Sequence, residues 1–437
     1  MLACGLGTNF GFRISEILRI LRGVSRISDS RTSGRPAIPS PMRKLLSLGF
    51  VSLLVLAPGL RAAPAPRNLF GELLGRPEVE VSAKLDHAWR QLFHGDNDTQ
   101  RIYYPVGGDQ AYIADTGNGD VRSEGMSYGL MIAVQLNHRE EFDRLWKWAK
   151  THMYHASGPH RGYFAWECSF DGRQHSPNSA SDGEEWFAMA LLFAARRWGN
   201  GEGIRNYEAE AQALLREMIH KREETVPSIF NLQHHQVVFV PTPEAAKFTD
   251  PSYHLPAFYE LWARWAADDQ DRDFWAQAAV ASRDFFKKAA HPRTGLMPEY
   301  ANFDGTPHTG DGREDFRFDA WRTLANVGLD HAWFAADPWQ VGQSNRVLRF
   351  LAAQGPACPN QFALDGRPLS NESSPGLFAM AAVAGLAADP DIARPFVQRL
   401  WDTPIPTGRW RYYDGLLYFL GLLEVSGRFQ IHAPPNP

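Results

Sequence analysis

From residue 79 onward the chain alternates between two kinds of helical stretch. One is apolar nearly all round, as in Met126, Leu130, Met131, Ala133, Val134 and Leu136. The other carries charge, as in Arg139–Lys150, Arg205–Arg222 and Asp271–Lys288. A helix apolar on every side is buried, whereas one with a charged face lies at a surface. The spacing predicts helices over 79–94, 123–137, 140–153, 183–198, 206–221, 254–268, 272–289, 318–334, 338–354, 374–387, 391–402 and 412–425. They fall into pairs that recur about every 60 residues. Strand signals are confined to 102–106 and 237–240, and no strand–helix alternation appears, which argues against a parallel α/β sheet. Six helical hairpins in one all-α domain predict a closed double ring, an (α/α)6 barrel. The apolar second member of each pair (123–137, 183–198, 254–268, 318–334, 374–387, 412–425) forms the inner ring, and the charged first member the outer one.

A polar cluster precedes each inner helix: Ser123-Glu124-Gly125, Ser181-Asp182-Gly183-Glu184-Glu185, Asp250-Pro251-Ser252-Tyr253-His254, Arg317-Phe318-Asp319-Ala320-Trp321-Arg322, Ser373-Ser374-Pro375 and Arg411-Tyr412-Tyr413-Asp414. In an up-and-down ring all inner helices start at the same end, so the six clusters meet at one mouth. Ser and Asp are favoured helix caps, and each cluster alone is explained that way, with Ser123 as the capping-type residue of its helix. Glu124 is a lone carboxylate before a nearly uncharged helix, either a helix-end charge or a catalytic group. Convergence favours the second reading. It lines one cleft with Glu124, Asp182, Asp319, Tyr253, His254, Arg322 and Tyr412, with His254 reading equally as a substrate-side hydrogen-bonding group or as a packed structural histidine.

Composition narrows the class. The 437 residues carry a formal net charge of −4, so nothing points to nucleic acid or an anionic membrane as partner. The 14 Trp and 13 Tyr supply flat faces on which sugar rings stack. The front end differs from the rest. Residues 1–41 are basic and rich in Ser, Gly and Pro, and read as an upstream extension. Met42-Arg43-Lys44, an apolar run over 45–56 and small residues up to 65 read as a signal peptide cleaved within 60–65. The domain then occupies 66–437, exported to the periplasm or outside the cell, with no membrane contact after signal removal, and a monomer is expected. Cys168 and Cys358 are far apart and give no disulfide framework, so two unpaired thiols are expected. His152 and His155 lack a carboxylate at metal spacing, and the acidic loop 304–315 does not match a calcium loop.

Two carboxylates across a groove lined with aromatics are the minimal equipment for glycoside hydrolysis. One must be protonated to serve the leaving oxygen, and the other ionised to activate water or attack the sugar. Neighbouring carboxylates raise one another's pKa; a helix N-terminus works against that rise. Gly125-Met-Ser127-Tyr-Gly129 also fits the nucleophile elbow of serine hydrolases. That elbow needs a strand before it in an α/β sheet, and none is read here.

Five segments resemble glycoside hydrolase family 8: Asp120-Val-Arg-Ser-Glu124-Gly-Met-Ser-Tyr-Gly129, Gly162-Tyr-Phe-Ala-Trp166, Asp182-Gly-Glu-Glu185, Asp250-Pro-Ser-Tyr-His-Leu-Pro256, and Asp319-Ala-Trp-Arg322 with Ala325-Asn-Val-Gly-Leu-Asp330. Within the family the chain is most similar to the reducing-end xylose-releasing exo-oligoxylanases, over about 70–429. The resemblance implies an (α/α)6 barrel, an inverting mechanism, no metal or organic cofactor, and a xylo-oligosaccharide or xylan substrate. It implies Glu124 as general acid, Asp319 as general base, Asp182 and Tyr253 as holders of the central sugar and the attacking water, and Trp166 as a stacking platform. An inverting pair lies about 6.5–9.5 Å apart. The resemblance breaks at one loop. The exo-oligoxylanases carry His-Pro where this chain has Ser374-Pro375, in a loop closing the cleft beyond the first reducing-end subsite. An endo-acting enzyme, a xylanase or another β-1,4-glucanase of the family, is therefore the alternative, and a serine hydrolase using Ser127 a distant one.

Overall fold

The computed structural model describes residues 66–434. The expected extension 1–41, the expected signal peptide 42–65 and Cys4 lie outside the described residues. A short helix α1 (Leu69–Leu74) leads in. Six hairpins follow: α2 (Glu78–His94) with α3 (Ser123–Leu136), α4 (Arg139–Trp148) with α5 (Ser181–Trp198), α6 (Tyr207–His220) with α7 (Pro256–Trp265), α8 (Asp269–Ala289) with α9 (Arg322–Phe334), α10 (Trp339–Ala353) with α11 (Pro375–Ala384), and α12 (Pro390–Asp402) with α13 (Arg411–Val425).

The second helix of each pair forms the inner ring of an (α/α)6 barrel. Burial follows the pattern that predicted it. Every residue of α11 from Gly376 to Ala384 is buried, whereas α8 buries a stripe through Trp275, Ala278, Ala279, Ser282 and Phe286. The ring closes because α3 packs against both α5 and α13, and α9 against both α7 and α11. Trp186 of α5 meets Phe258 of α7 edge to face at 5.0 Å. Away from the mouth, Trp333 stacks on Phe429 at 5.6 Å and helps fill the far end with aromatic rings. Asn137 stops α3 in a left-handed turn (φ 68°), returning its N–H to the last carbonyls.

Several local expectations change. The helix expected over 140–153 ends at Trp148, and Ala149–Met153 continues as a π-turn. That expected over 318–334 begins with a 3-10 turn, Phe318–Trp321, and that over 374–387 stops at Ala384. The strand expected over 102–106 is β1 (Tyr103–Val106), but it belongs to a four-stranded antiparallel sheet with β2 (Gln110–Asp115), β3 (Asp120–Arg122) and β4 (Glu167–Cys168). β2 is buried along nearly its whole length, so its sequence lacks the two-residue alternation that marks a half-exposed strand. The strand expected over 237–240 shrinks to β6 (Gln236–Val237), paired with β5 (Phe230–Asn231). The sheet has a use at the mouth: β3 runs straight into α3, and its pairing of Arg122 with Glu167 fixes where Glu124 emerges. Both Cys168 and Cys358 are free thiols in the interior.

Candidate active site

The inner-helix starts do meet, and one guanidinium ties them together. Arg322, the first residue of α9, is 5% exposed. Its Nη1 donates to Glu124 Oε2 at 2.8 Å, to Asp182 Oδ2 at 3.1 Å and to the Tyr128 hydroxyl at 2.6 Å. Its Nη2 donates to Ser252 Oγ at 3.0 Å and lies 3.4 Å from Asp319 Oδ1. Three carboxylates from three inner-helix starts thus share one cation.

Glu124 sits in the first turn of α3. The N-cap is Arg122, with no side-chain cap, so Ser123 is not the cap its sequence suggested; it is already the first helical residue. The Tyr412 hydroxyl donates to Glu124 Oε1 at 3.1 Å. Gly125 makes this possible, because a Cβ there would lie 2.4 Å from the Tyr412 ring. About 16% of the Glu124 side chain remains open to the cleft. Burial pushes its carboxyl up to about 7; Arg322 opposes that rise, while Asp182 and Asp319 add to it. The helix N-terminus does not win here. Asp182 is raised as well, by burial first, with Arg322 opposing.

Asp319 lies in the 3-10 turn before α9. Phe318, just ahead of it, has φ 34°, a conformation that costs a non-glycine residue energy and concentrates at functional sites. The Tyr413 hydroxyl bridges this point, donating to Phe318 O at 3.1 Å and lying 3.4 Å from Asp319 Oδ1. Tyr253 is buried with its ring 5.5 Å from the Arg322 guanidinium. Its segment is held by Asn326, whose side-chain nitrogen donates to Ser252 O at 2.7 Å and His254 O at 3.1 Å. Trp166 closes the wall beside Arg122 at 5.5 Å and is only 5% exposed, so it shows the cleft little of its face.

His254 is the residue the cleft does not receive. It is fully buried, bonded to Thr249 at 3.1 Å and to Ser282 at 2.9 Å, and stacked on Phe285 at 4.1 Å. Burial pushes its imidazole down to about 3. It braces the wall behind Tyr253 and is a packed structural histidine. Tyr128 and Tyr413 are the reverse case, site residues that sequence reasoning missed. Tyr128 follows Glu124 by four positions and so shares its helix face; Tyr413 adjoins Tyr412.

Ser127 does follow a strand, since β3 precedes α3, contrary to the sequence reading. That sheet is antiparallel, however, and Ser127 lies in the second turn of α3 with its hydroxyl spent on Glu124 O at 2.9 Å. No nucleophile elbow results. Ser374 is 4% exposed and donates its hydroxyl to Asp414 of α13, while Asn371–Ser373 are exposed. Among the described residues, no group of three or more His, Cys, Asp or Glu is placed to hold a metal ion.

Known proteins carry the same architecture. The sequence profile described as glycosyl hydrolases family 8 matches residues 108–427. A reducing-end xylose-releasing exo-oligoxylanase from Paenibacillus barcinonensis is 47% identical over 371 residues, covering 84% of this chain and 96% of the relative. Its structure with xylose superposes with a TM-score of 0.80. A second enzyme of that name, from Halalkalibacterium halodurans, is 45% identical, covering 84% of this chain and 95% of its own length. A xylobiose complex of a family 8 protein from Teredinibacter turnerae is 44% identical with a TM-score of 0.82, covering 85% of this chain and 98% of that one.

Proposed function

This chain belongs to glycosyl hydrolase family 8, and from that premise we propose that it hydrolyses β-1,4-xylosidic bonds in xylo-oligosaccharides and releases xylose from the reducing end, by inversion. The observation that carries the chemistry is the sharing of Arg322 by Glu124, Asp182 and Asp319. Burial first, and then the neighbouring Asp182 and Asp319, push Glu124 up to about 7 against the pull of Arg322, and Glu124 is the carboxyl that keeps a proton near neutral pH.

Glu124 gives that proton to the glycosidic oxygen as the bond breaks. Asp319, held by Arg322 and Tyr413, takes a proton from the water that attacks the opposite face of the sugar. Asp182 accepts hydrogen bonds from the central sugar while Arg322 fixes its carboxylate. Tyr253 positions the water against Asp319. Trp166 and Tyr412 shape the wall, and Tyr412 orients the acid. Proton NMR of fresh product tests the mechanism: an α-anomer from the β-linkage is expected, and a β-anomer overturns inversion.

One observation favours a second reading of chain-length preference. At the loop expected to close the reducing-end side, Ser374 turns its hydroxyl inward to Asp414 and offers no donor to a sugar. Such a groove admits further sugars and supports endo-xylanase action. Xylohexaose labelled at its reducing end separates the two: labelled xylose with xylopentaose is the exo outcome, and an initial spread of xylobiose to xylotetraose the endo one. We also propose export, supported by the apolar run at 45–56; residues retained from that run in the mature protein would contradict it.

A further inference from the structure

A second polar cavity lies away from the catalytic cluster. It has a volume of about 510 Å³ and is lined by Arg293, Thr294, Gly342, Arg346, Arg349, Phe350, Asp365 and Gly366. Three elements build it: the loop after α8, the flank of α10 from Gly342 to Phe350, and the turn at 363–367. Thr294 ties two of them by donating to Leu364 O at 2.7 Å. Gly366, at φ 98°, lets the Phe350 ring slide beneath the turn; a Cβ there would lie 2.8 Å from that ring. Phe350 is braced edge to face on Phe362 at 5.1 Å and stays partly exposed. A Cβ on Gly342 would meet nothing within 4 Å, so that side of the cavity is open.

The charge is out of keeping with the rest of the molecule. Three arginines face one aspartate in a chain whose net charge is −4. Among the described residues none of the three forms an ion pair. Arg293 donates to the Asp365 carbonyl at 2.8 Å and Arg346 to the Gln343 side chain at 2.8 Å, which leaves guanidinium N–H groups to spare on both. Arg346 and Arg349, three positions apart, are neighbours on one helix face and repel each other unless an anion intervenes. The two loops that line the cavity, the one after α8 and the one holding the turn at 363–367, each join an outer helix to the inner helix that follows, at the end where inner helices begin. The cavity is therefore on the mouth side. Its turn adjoins Phe362, which pairs with Phe316, three residues before Asp319.

We propose that this cavity binds a carboxylated sugar, the uronic-acid substituent of an acidic xylan, and so holds decorated polymer near the cleft. Arginine forks match carboxylates in pairs, an aromatic ring takes the apolar face of a pyranose, and the volume suits one to two sugar rings. The proposal rests on the xylan reading of the active site. Its test uses the full-length protein in native affinity gels containing glucuronoxylan or neutral arabinoxylan, with the double variant Arg346→Ala/Arg349→Ala beside it. The wild type is retarded more by glucuronoxylan, and that excess affinity, about tenfold, disappears in the variant. It also falls as ionic strength rises. Arabinoxylan retardation and xylohexaose turnover stay unchanged, which shows that the fold and active site are intact. Equal retardation in both gels, an excess that survives in the double variant, or displacement by inorganic phosphate as readily as by glucuronate each overturns it. Loss of xylohexaose activity in the wild type would strike the active-site reading instead and leave the retention result standing.

Discussion

Two buried arginines of this barrel use the same chemistry to different ends. In the wall, Arg283 of α8 donates from Nε and Nη2 to both oxygens of Asp330 at 2.8 and 2.7 Å, and from Nη1 to Glu260 at 2.7 Å. Each nitrogen has its own acceptor, and Gln340 donates to Asp330 besides. At the mouth, a single nitrogen of Arg322 is divided among Glu124, Asp182 and Tyr128, and its Nε has no partner among the described residues. Every guanidinium nitrogen of Arg283 and both oxygens of Asp330 are partnered, and the wall cluster is structural. At the mouth three carboxylates share Arg322, and burial, with Asp182 and Asp319 adding to it and Arg322 opposing, pushes the Glu124 carboxyl up to about 7. Satisfied ion pairs hold a fold; an under-compensated one stores a reactive group.

The largest separation between the two comes from removing each cation. Arg322→Met should lower kcat by about 10²–10³-fold, since it takes away the hydrogen bonds that align acid, base and central carboxylate. The protein should still fold near pH 6, where the abandoned carboxylates can take up protons. Arg283→Met should do the opposite, costing about 3–5 kcal/mol of stability by stranding Asp330, while kcat per folded molecule holds. Denaturant titration beside initial rates reads both. Equal stability losses with equal kcat losses would erase the distinction.

A smaller effect lies in the pH profile. The free enzyme needs Glu124 protonated, so kcat/KM should fall on the alkaline side near pH 7. The Tyr412 hydroxyl donates to this carboxyl and so favours its ionised form. In Tyr412→Phe the ionised form loses that support, the Glu124 pKa rises, and the alkaline limb should move up by as much as about one pH unit. A limb that stays put, or moves down, would mean that another group sets it.

How much of this was legible in the sequence depends on what each residue type advertises. The double ring was, because an all-apolar helix and a one-faced helix differ in composition as well as position. The convergence of Glu124, Asp182, Asp319, Tyr253, Arg322 and Tyr412 followed from it by topology. Tyr128 was hidden because a tyrosine amid apolar neighbours reads as core, which its ring also is, and Tyr413 because it stands half-buried in a polar cluster already represented by Tyr412. His254 left two readings open in the sequence, and the packed one holds: a polar residue beside a site residue faces the other way when the backbone turns between them, as the 3-10 segment Pro251–Tyr253 makes it do. β2 left no alternation to read, since both its faces are covered.

Glu124 as the proton donor is the assignment on which the proposed chemistry depends. The most direct test is Glu124→Gln assayed on two substrates: a xylo-oligosaccharide, whose leaving sugar needs a proton, and a dinitrophenyl xylo-oligoside, whose leaving group does not. The variant should lose about 10²–10⁴-fold on the first and retain most of its turnover on the second. Equal losses on both would show that Glu124 does not deliver the proton.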